Sequence, residues 1–72
     1  MYDVESEVTG KVWRLQTQVG DAVALGDTLL VLESMKMEIP VPAPVSGRVA
    51  EVLVSQDDDV EEDQVLVRIE PG

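Results

Sequence analysis

The sequence contains no cysteine, no histidine and no phenylalanine. Without cysteine no disulfide can staple the fold, and the redox compartment is left open. Without cysteine or histidine the usual zinc ligand sets and the Ser-His and Cys-His nucleophile pairs are excluded. Trp13 and Tyr2 are the only aromatic residues, so the core must be aliphatic. Bases are scarce: five against fifteen acids, for a formal net charge of −10. Phosphate or anionic lipid would repel such a chain, which argues against nucleic acid or a membrane surface as partner. No apolar run approaches the ~18 residues of a spanning helix, and no charged-then-apolar leader precedes Tyr2, so neither a membrane span nor a signal peptide is expected.

What is present is repetition. Residues 7–33 superpose on residues 44–70 with a constant offset of 37 and no gap. Val8 falls on Val45, Gly10 on Gly47, Val12 on Val49, Asp21 on Asp58, Val23 on Val60, Leu29 on Leu66 and Glu33 on Glu70. Two copies of a unit that cannot bury a face alone are expected to pack about a pseudo-twofold axis. Lys36 sits at the junction of the copies, and its counterpart falls just past Gly72. The symmetry therefore puts Lys36 at one tip of the molecule and both termini at the other. At 72 residues the chain makes one small domain, near the lower limit for a core without staples, yet its 44% apolar content argues against disorder.

Valine dominates the apolar positions, and turn signals recur at Val19-Gly20-Asp21, Leu25-Gly26-Asp27, Ser46-Gly47 and an acidic stretch near 57–63. This pattern predicts an all-β fold, with strands near 3–8, 11–17, 28–33, 38–43, 47–54 and 65–70 and short extended pieces around Val23 and Val60. No segment repeats its apolar residues at 3.6-residue spacing, so no helix is expected. The apolar set Val12, Leu15, Thr17 recurs as Val49, Val52, Val54, and its step of three followed by two predicts a β-bulge in each half. Pro40, Pro42 and Pro44 alternate with Ile39, Val41 and Val45. Three missing N–H groups on one side mean that this segment is an edge strand or pairs only through its odd residues, with the aliphatic side chains turned inward.

Glu33-Ser34-Met35-Lys36-Met37 lies between two strand-like runs and reads as a hairpin tip. A two-residue turn centred on Met35-Lys36 breaks the usual preference for Asn-Gly, because primed hairpin turns need positive φ, and such violations tend to mark functional sites. Two methionines at a tip cannot both be buried, and soft apolar side chains exposed there suit recognition by another protein. A lysine becomes a nucleophile when burial or a neighbouring cation removes its charge. Here the sequence neighbours are Glu33 and Glu38, which favour the ammonium form. Lys36 is therefore expected to be modified by an outside enzyme that supplies the base, a handle and not an active site.

Glu33-Ser34-Met35-Lys36-Met37 resembles the Glu-Ala/Ser-Met-Lys-Met signature of biotinyl domains, the biotin carboxyl carriers of the biotin/lipoyl attachment family. The resemblance covers essentially the whole chain, including Val19-Gly20-Asp21, Leu25-Gly26-Asp27 and the Ala-Pro-Val-Ser-Gly run at 43–47. It implies a flattened β-barrel or sandwich of two four-stranded antiparallel sheets with Lys36 on an exposed hairpin. It further implies covalent biotin on Lys36, attached by a biotin protein ligase, with Met35 and Met37 as flanking recognition groups and Glu33 and Ser34 as motif residues. The tethered biotin would move a carboxyl group from a biotin carboxylase to a carboxyltransferase, in an acyl-CoA carboxylase, through a monomeric, cytoplasmic, non-catalytic carrier. Lipoyl domains share the fold and symmetry but typically carry Asp-Lys-Ala at the turn, and an unmodified β-module is the alternative from another class.

This sequence departs from the family pattern where Asp57 and Asp63 stand opposite Gly20 and Gly26. The segments Val12–Val23 and Val49–Val60 are equally long, so the "thumb" insertion common in bacterial acetyl-CoA carboxylase carriers is absent, which favours another acyl-CoA carboxylase or a free-standing carrier. The acidic run 57–63 lacks the glycine and ligand spacing of a calcium loop and reads as a solvated turn far from Lys36, with no metal expected. Arg14, Arg48 and Arg68 read as strand-surface residues paired with nearby acids. Trp13 could be core or a partly exposed contact.

Overall fold

The alternation of valines and the recurrent Gly-Asp turns generate eight strands, seen in a computed structural model that describes all of Met1–Gly72. They are β1 (Tyr2–Glu5), β2 (Gly10–Leu15), β3 (Ala22–Val23), β4 (Thr28–Ser34), β5 (Met37–Pro42), β6 (Gly47–Val52), β7 (Asp59–Val60) and β8 (Val65–Pro71). There is no helix among them, and none long and apolar enough to cross a membrane. Two four-stranded sheets form, ordered β1-β8-β6-β3 and β5-β4-β2-β7, with every pairing antiparallel. The 37-residue offset carries one order onto the other, strand by strand. The two sheets close a flattened sandwich of 34 × 17 × 17 Å.

Thirteen buried aliphatic side chains fill the space between the sheets. Leu29, Leu30 and Leu32 of β4 and their counterparts Leu66, Val67 and Ile69 of β8 are at most 1% exposed. Each leucine so buried stabilises the fold by roughly 1.5–3 kcal/mol relative to exposure. The doubled inward residue at Leu29-Leu30 follows from a register shift between Thr28 and Leu30 against β5. Both expected bulges are present: the β2–β4 register shifts between Val12 and Arg14, and the β6–β8 register between Val49 and Glu51. Each bends its strand so that the following aliphatic residue returns inward.

Four turns with one geometry join these strands. Asp21 Oδ2 accepts from the Gln18 N–H at 3.0 Å, Asp27 Oδ2 from Ala24 at 2.9 Å, Asp58 Oδ2 from Ser55 at 2.8 Å, and Gln64 Oε1 from Glu61 at 3.0 Å. The residue before each acceptor has positive φ: Gly20, Gly26, Asp57 and Asp63. A type II turn needs positive φ there, and aspartate tolerates it better than most side chains. The two aspartates that replace glycine thus adopt the glycine conformation.

β5 is an edge strand, with Val41 buried, Ile39 partly buried and its prolines exposed, so their missing donors cost no ladder bond. The arginines depart from expectation. Only Arg68 pairs with acids, lying 3.1 Å from Asp3 and 3.5 Å from Glu51. Arg48 instead donates to the Gly20 carbonyl at 2.7 Å. Arg14 lies 4.8 Å from the centroid of the Trp13 ring, beside the bulge that leaves Trp13 40% exposed.

The β4–β5 ladder runs from Ser34 opposite Met37 to Thr28 opposite Pro42. At its far end the Gly26 N–H donates to the Ala43 carbonyl and the Leu25 N–H to Ser46 Oγ, while the Gly72 N–H reaches the Ser46 carbonyl. Tyr2 pairs with Ile69 near the same end. Both termini therefore lie at the end opposite the Met35-Lys36 turn, roughly 17 Å or more along β5 at ~3.4 Å per residue.

Candidate attachment site on the β4–β5 hairpin

Strands β4 and β5 pair through to Ser34 opposite Met37, leaving two residues to reverse the chain. Met35 and Lys36 make that turn with φ of 51° and 64°. Positive φ at both central residues defines the type I′ turn whose twist matches the strands it joins. For residues with a Cβ this conformation costs roughly 1–2 kcal/mol each, so local strain is held at this tip by the strands on either side. Met35 is 92% and Met37 63% exposed, and Lys36 is exposed with no ion pair. Thus the hairpin presents an amine between two solvent-facing thioethers, away from the three main clefts of the molecule.

Two contacts hold the tip in place. Ser34 Oγ donates to the Thr9 carbonyl at 2.8 Å, clamping the hairpin onto the loop between β1 and β2. Gly10, the first residue of β2, passes so close to β4 that a Cβ there would overlap the Glu33 carbonyl oxygen; Gly47 meets the Glu70 carbonyl in the same way. The sequence signalled Gly10 only through its repeat partner, and it gave no signal for the Thr9 carbonyl, which any residue type would provide. Glu33 and Glu38 are both exposed and stand directly opposite each other, a like-charge pair that weakens the hairpin slightly. Lys11, the other lysine, stands in register between Asp59 and Glu33.

The acidic run 57–63 is not remote from Lys36, as the sequence suggested. Asp59 pairs with Lys11, which pairs with Glu33 three residues before Lys36, so β7 lies two strands from β4 at the hairpin end. The Asp63 N–H also donates to the Ser6 carbonyl at 2.7 Å, in the loop that holds Ser34. The 37-residue offset explains this: it exchanges the two ends of the molecule, carrying the 18–27 turns by the termini onto the 55–64 turns by the lysine. Within the run, Asp58 closes a turn and Asp57 and Asp63 occupy positive-φ positions. No group of three acids is arranged to hold a metal ion.

Comparison with known proteins adds the decisive observation. The family model for biotin/lipoyl domains, described as "Biotin-requiring enzyme", matches residues 2–69. The chain belongs to the biotin/lipoyl attachment family. Among its relatives is a biotin/lipoyl attachment protein of Bacillus subtilis, 39% identical over 66 residues that make up 92% of this chain and 90% of that protein. The biotin carboxyl carrier protein of acetyl-CoA carboxylase from Streptococcus pyogenes is 51% identical over 51 residues, 71% of this chain and 31% of that protein. Among solved structures, Kluyveromyces lactis urea carboxylase matches with a TM-score of 0.90 and 36% identity, over 96% of this chain but 6% of that one. The family thus includes both proteins of this length and small parts of large carboxylases. The β2–β3 and β6–β7 connections are of equal length here, so this member carries no insertion between its early strands.

Proposed function

We propose that this chain is a biotin carboxyl carrier in which Lys36 is the attachment residue, and that residues 1–72 act as one carrier domain. The observation that carries the reading is the exposed, unpaired Lys36 in a strained type I′ turn between Met35 and Met37, in a member of the biotin/lipoyl attachment family. A biotin protein ligase would activate the biotin carboxyl group as a mixed anhydride with the phosphate of a nucleoside triphosphate and take a proton from the Lys36 ammonium. Nζ would then attack, so that the amide C–N bond forms as the acyl–oxygen bond breaks and the nucleotide phosphate leaves. At the tip the chain offers only the exposed carboxylates of Glu33 and Glu38, so in this reading the ligase supplies the base and the chain is its substrate and not an enzyme.

In the proposed cycle the tethered biotin takes a carboxyl group at a biotin carboxylase site and gives it up at a carboxyltransferase site, in an acyl-CoA carboxylase of the cytoplasm. The cofactor supplies the carboxyl-carrying chemistry, and this chain supplies reach and orientation. Tethering keeps the group near its acceptor at roughly millimolar effective concentration. With the termini at the far end, a monomeric domain anchored there can lead with Lys36 into either site. The thioethers of Met35 and Met37 offer soft apolar surface to each partner, while Glu33 pairs across to Glu38 and Ser34 fixes the hairpin.

Co-expression with a biotin protein ligase, followed by intact mass measurement, tests the assignment. A single biotinyl adduct is expected, absent from Lys36→Arg, because the guanidinium stays protonated and cannot be acylated. A lipoyl adduct or an unmodified mass would contradict it, and an adduct persisting on Lys36→Arg would move the site to Lys11 or the N-terminus.

A further inference from the structure

The two halves treat their equivalent sheet edges differently. Strands β1 and β5 each form one edge of their sheet, and the 37-residue offset sets Asp3, Glu5 and Glu7 against Pro40, Pro42 and Pro44. A groove of about 490 Å³ opens between these edges, within the ~300–1,000 Å³ range of ligand clefts. Its floor is aliphatic, formed by Val4, Val8, Leu32, Ile39 and Val41, of which Val8 and Ile39 remain partly exposed. Every charged side chain along it is an acid: Asp3, Glu5, Glu7 and Asp63. Arg68 pairs with Asp3, but the other three carboxylates have no cation.

Hydrogen bonding divides the walls as well. The Ser6 N–H donates to the Gln64 carbonyl at 2.8 Å. The β1–β8 register shifts between Val4 and Glu5, but the extra residue, Leu66, lies in β8, so β1 keeps its alternation and turns the N–H and C=O groups of Asp3 and Glu5 toward the open edge. On the opposite wall the same positions are Pro40 and Pro42, which have no N–H to offer. An incoming strand can therefore pair along β1 and only pack against β5. The acids repel an acidic edge and would lose hydration beneath a neutral one, the usual protection of an exposed strand, and a second copy of this chain, itself at −10, is repelled too.

We propose that this groove is a docking site for an extended basic segment of a partner protein, added as a strand along β1. Its sequence alternates lysine or arginine with small aliphatic residues. The period of two places the aliphatic side chains on the floor and the cations against Glu5, Glu7 and Asp63. The site lies along the sheet edges and is independent of the proposed attachment at Lys36.

Isotopically labelled protein titrated with a Lys-Val-Lys-Val-Lys peptide tests this by NMR. Chemical-shift changes are expected at residues 2–8 and 39–44 and at Asp63. A Lys-Gly-Lys-Gly-Lys peptide of equal charge should bind at least about tenfold more weakly, a difference of ~1.4 kcal/mol. The double variant Glu5→Lys/Glu7→Lys should weaken the valine peptide by at least about tenfold, whereas Glu61→Lys/Glu62→Lys, the same charge change outside the groove, should alter its affinity less than about twofold. Equal binding of the two peptides, shifts centred on 57–62, self-association through β1, or no binding at millimolar peptide would each overturn the proposal.

Discussion

Replacing Met35 by Asn should make the protein more stable while making it a poorer substrate for a ligase. Met35 holds φ at 51°, in a region that costs a residue with a Cβ roughly 1–2 kcal/mol, and that asparagine visits readily through its short polar side chain. At 92% exposure the methionine makes little packing to lose. The Ser34–Thr9 clamp and the six β4–β5 pairings do not involve its side chain. The net change should be a gain of about 1 kcal/mol, or a rise in Tm of ~4–8 °C for a domain of this size. Thermal unfolding followed by circular dichroism measures the shift, and steady-state biotinylation measures the second effect, expected as a fall in kcat/KM from the lost thioether. A drop in Tm of the same size would refute the reasoning, since it would mean that the Met35 side chain contributes more by packing than its backbone loses by strain.

Further expectations can be checked in the same assays. Gly10→Ala forces a Cβ against the Glu33 carbonyl and should cost ~1–3 kcal/mol, and Gly47→Ala should cost a similar amount in denaturant melts while leaving ligation of the folded protein unchanged. Leu66→Ala, at a side chain with no exposure, should cost ~2–5 kcal/mol in the same melts. A bulky protein fused at Met1 or Gly72, at the end away from the hairpin, should slow biotinylation by less than about threefold; a slowing beyond tenfold in a folded fusion would contradict the placement of the ends.

Most strands were legible in the sequence because the repeat reports each of them twice, whereas the tip, which has no second copy, was legible from its own residues. A lone Val12, Leu15, Thr17 pattern could be a slip, but its recurrence at Val49, Val52 and Val54 made the bulges readable. Three alternating prolines limited their segment to an edge strand or to pairing through its odd residues, and an unsuited Met-Lys pair marked a turn whose φ values are indeed positive. What the sequence hid depends on contacts between distant segments. Ser34 is held by a backbone carbonyl 25 residues away, which no side chain announces. Arg48 finds the Gly20 carbonyl, 28 residues away, and Arg14 the indole ring of its own neighbour Trp13, where acids were expected. The acidic run was misplaced although the same offset that located the termini also locates it: 55–64 is the image of 18–27, so it must lie at the lysine end.

The central claim is that Lys36 carries biotin as a mobile carboxyl carrier, and transfer itself tests this most directly. Ligase-treated protein would be incubated with ATP, radiolabelled bicarbonate and a biotin carboxylase that also accepts free biotin, then separated from small molecules. The account predicts acid-labile label on the wild-type protein and none on Lys36→Arg. Biotinylated wild-type protein that takes up no label, or a Lys36→Arg protein that takes up as much, would contradict it.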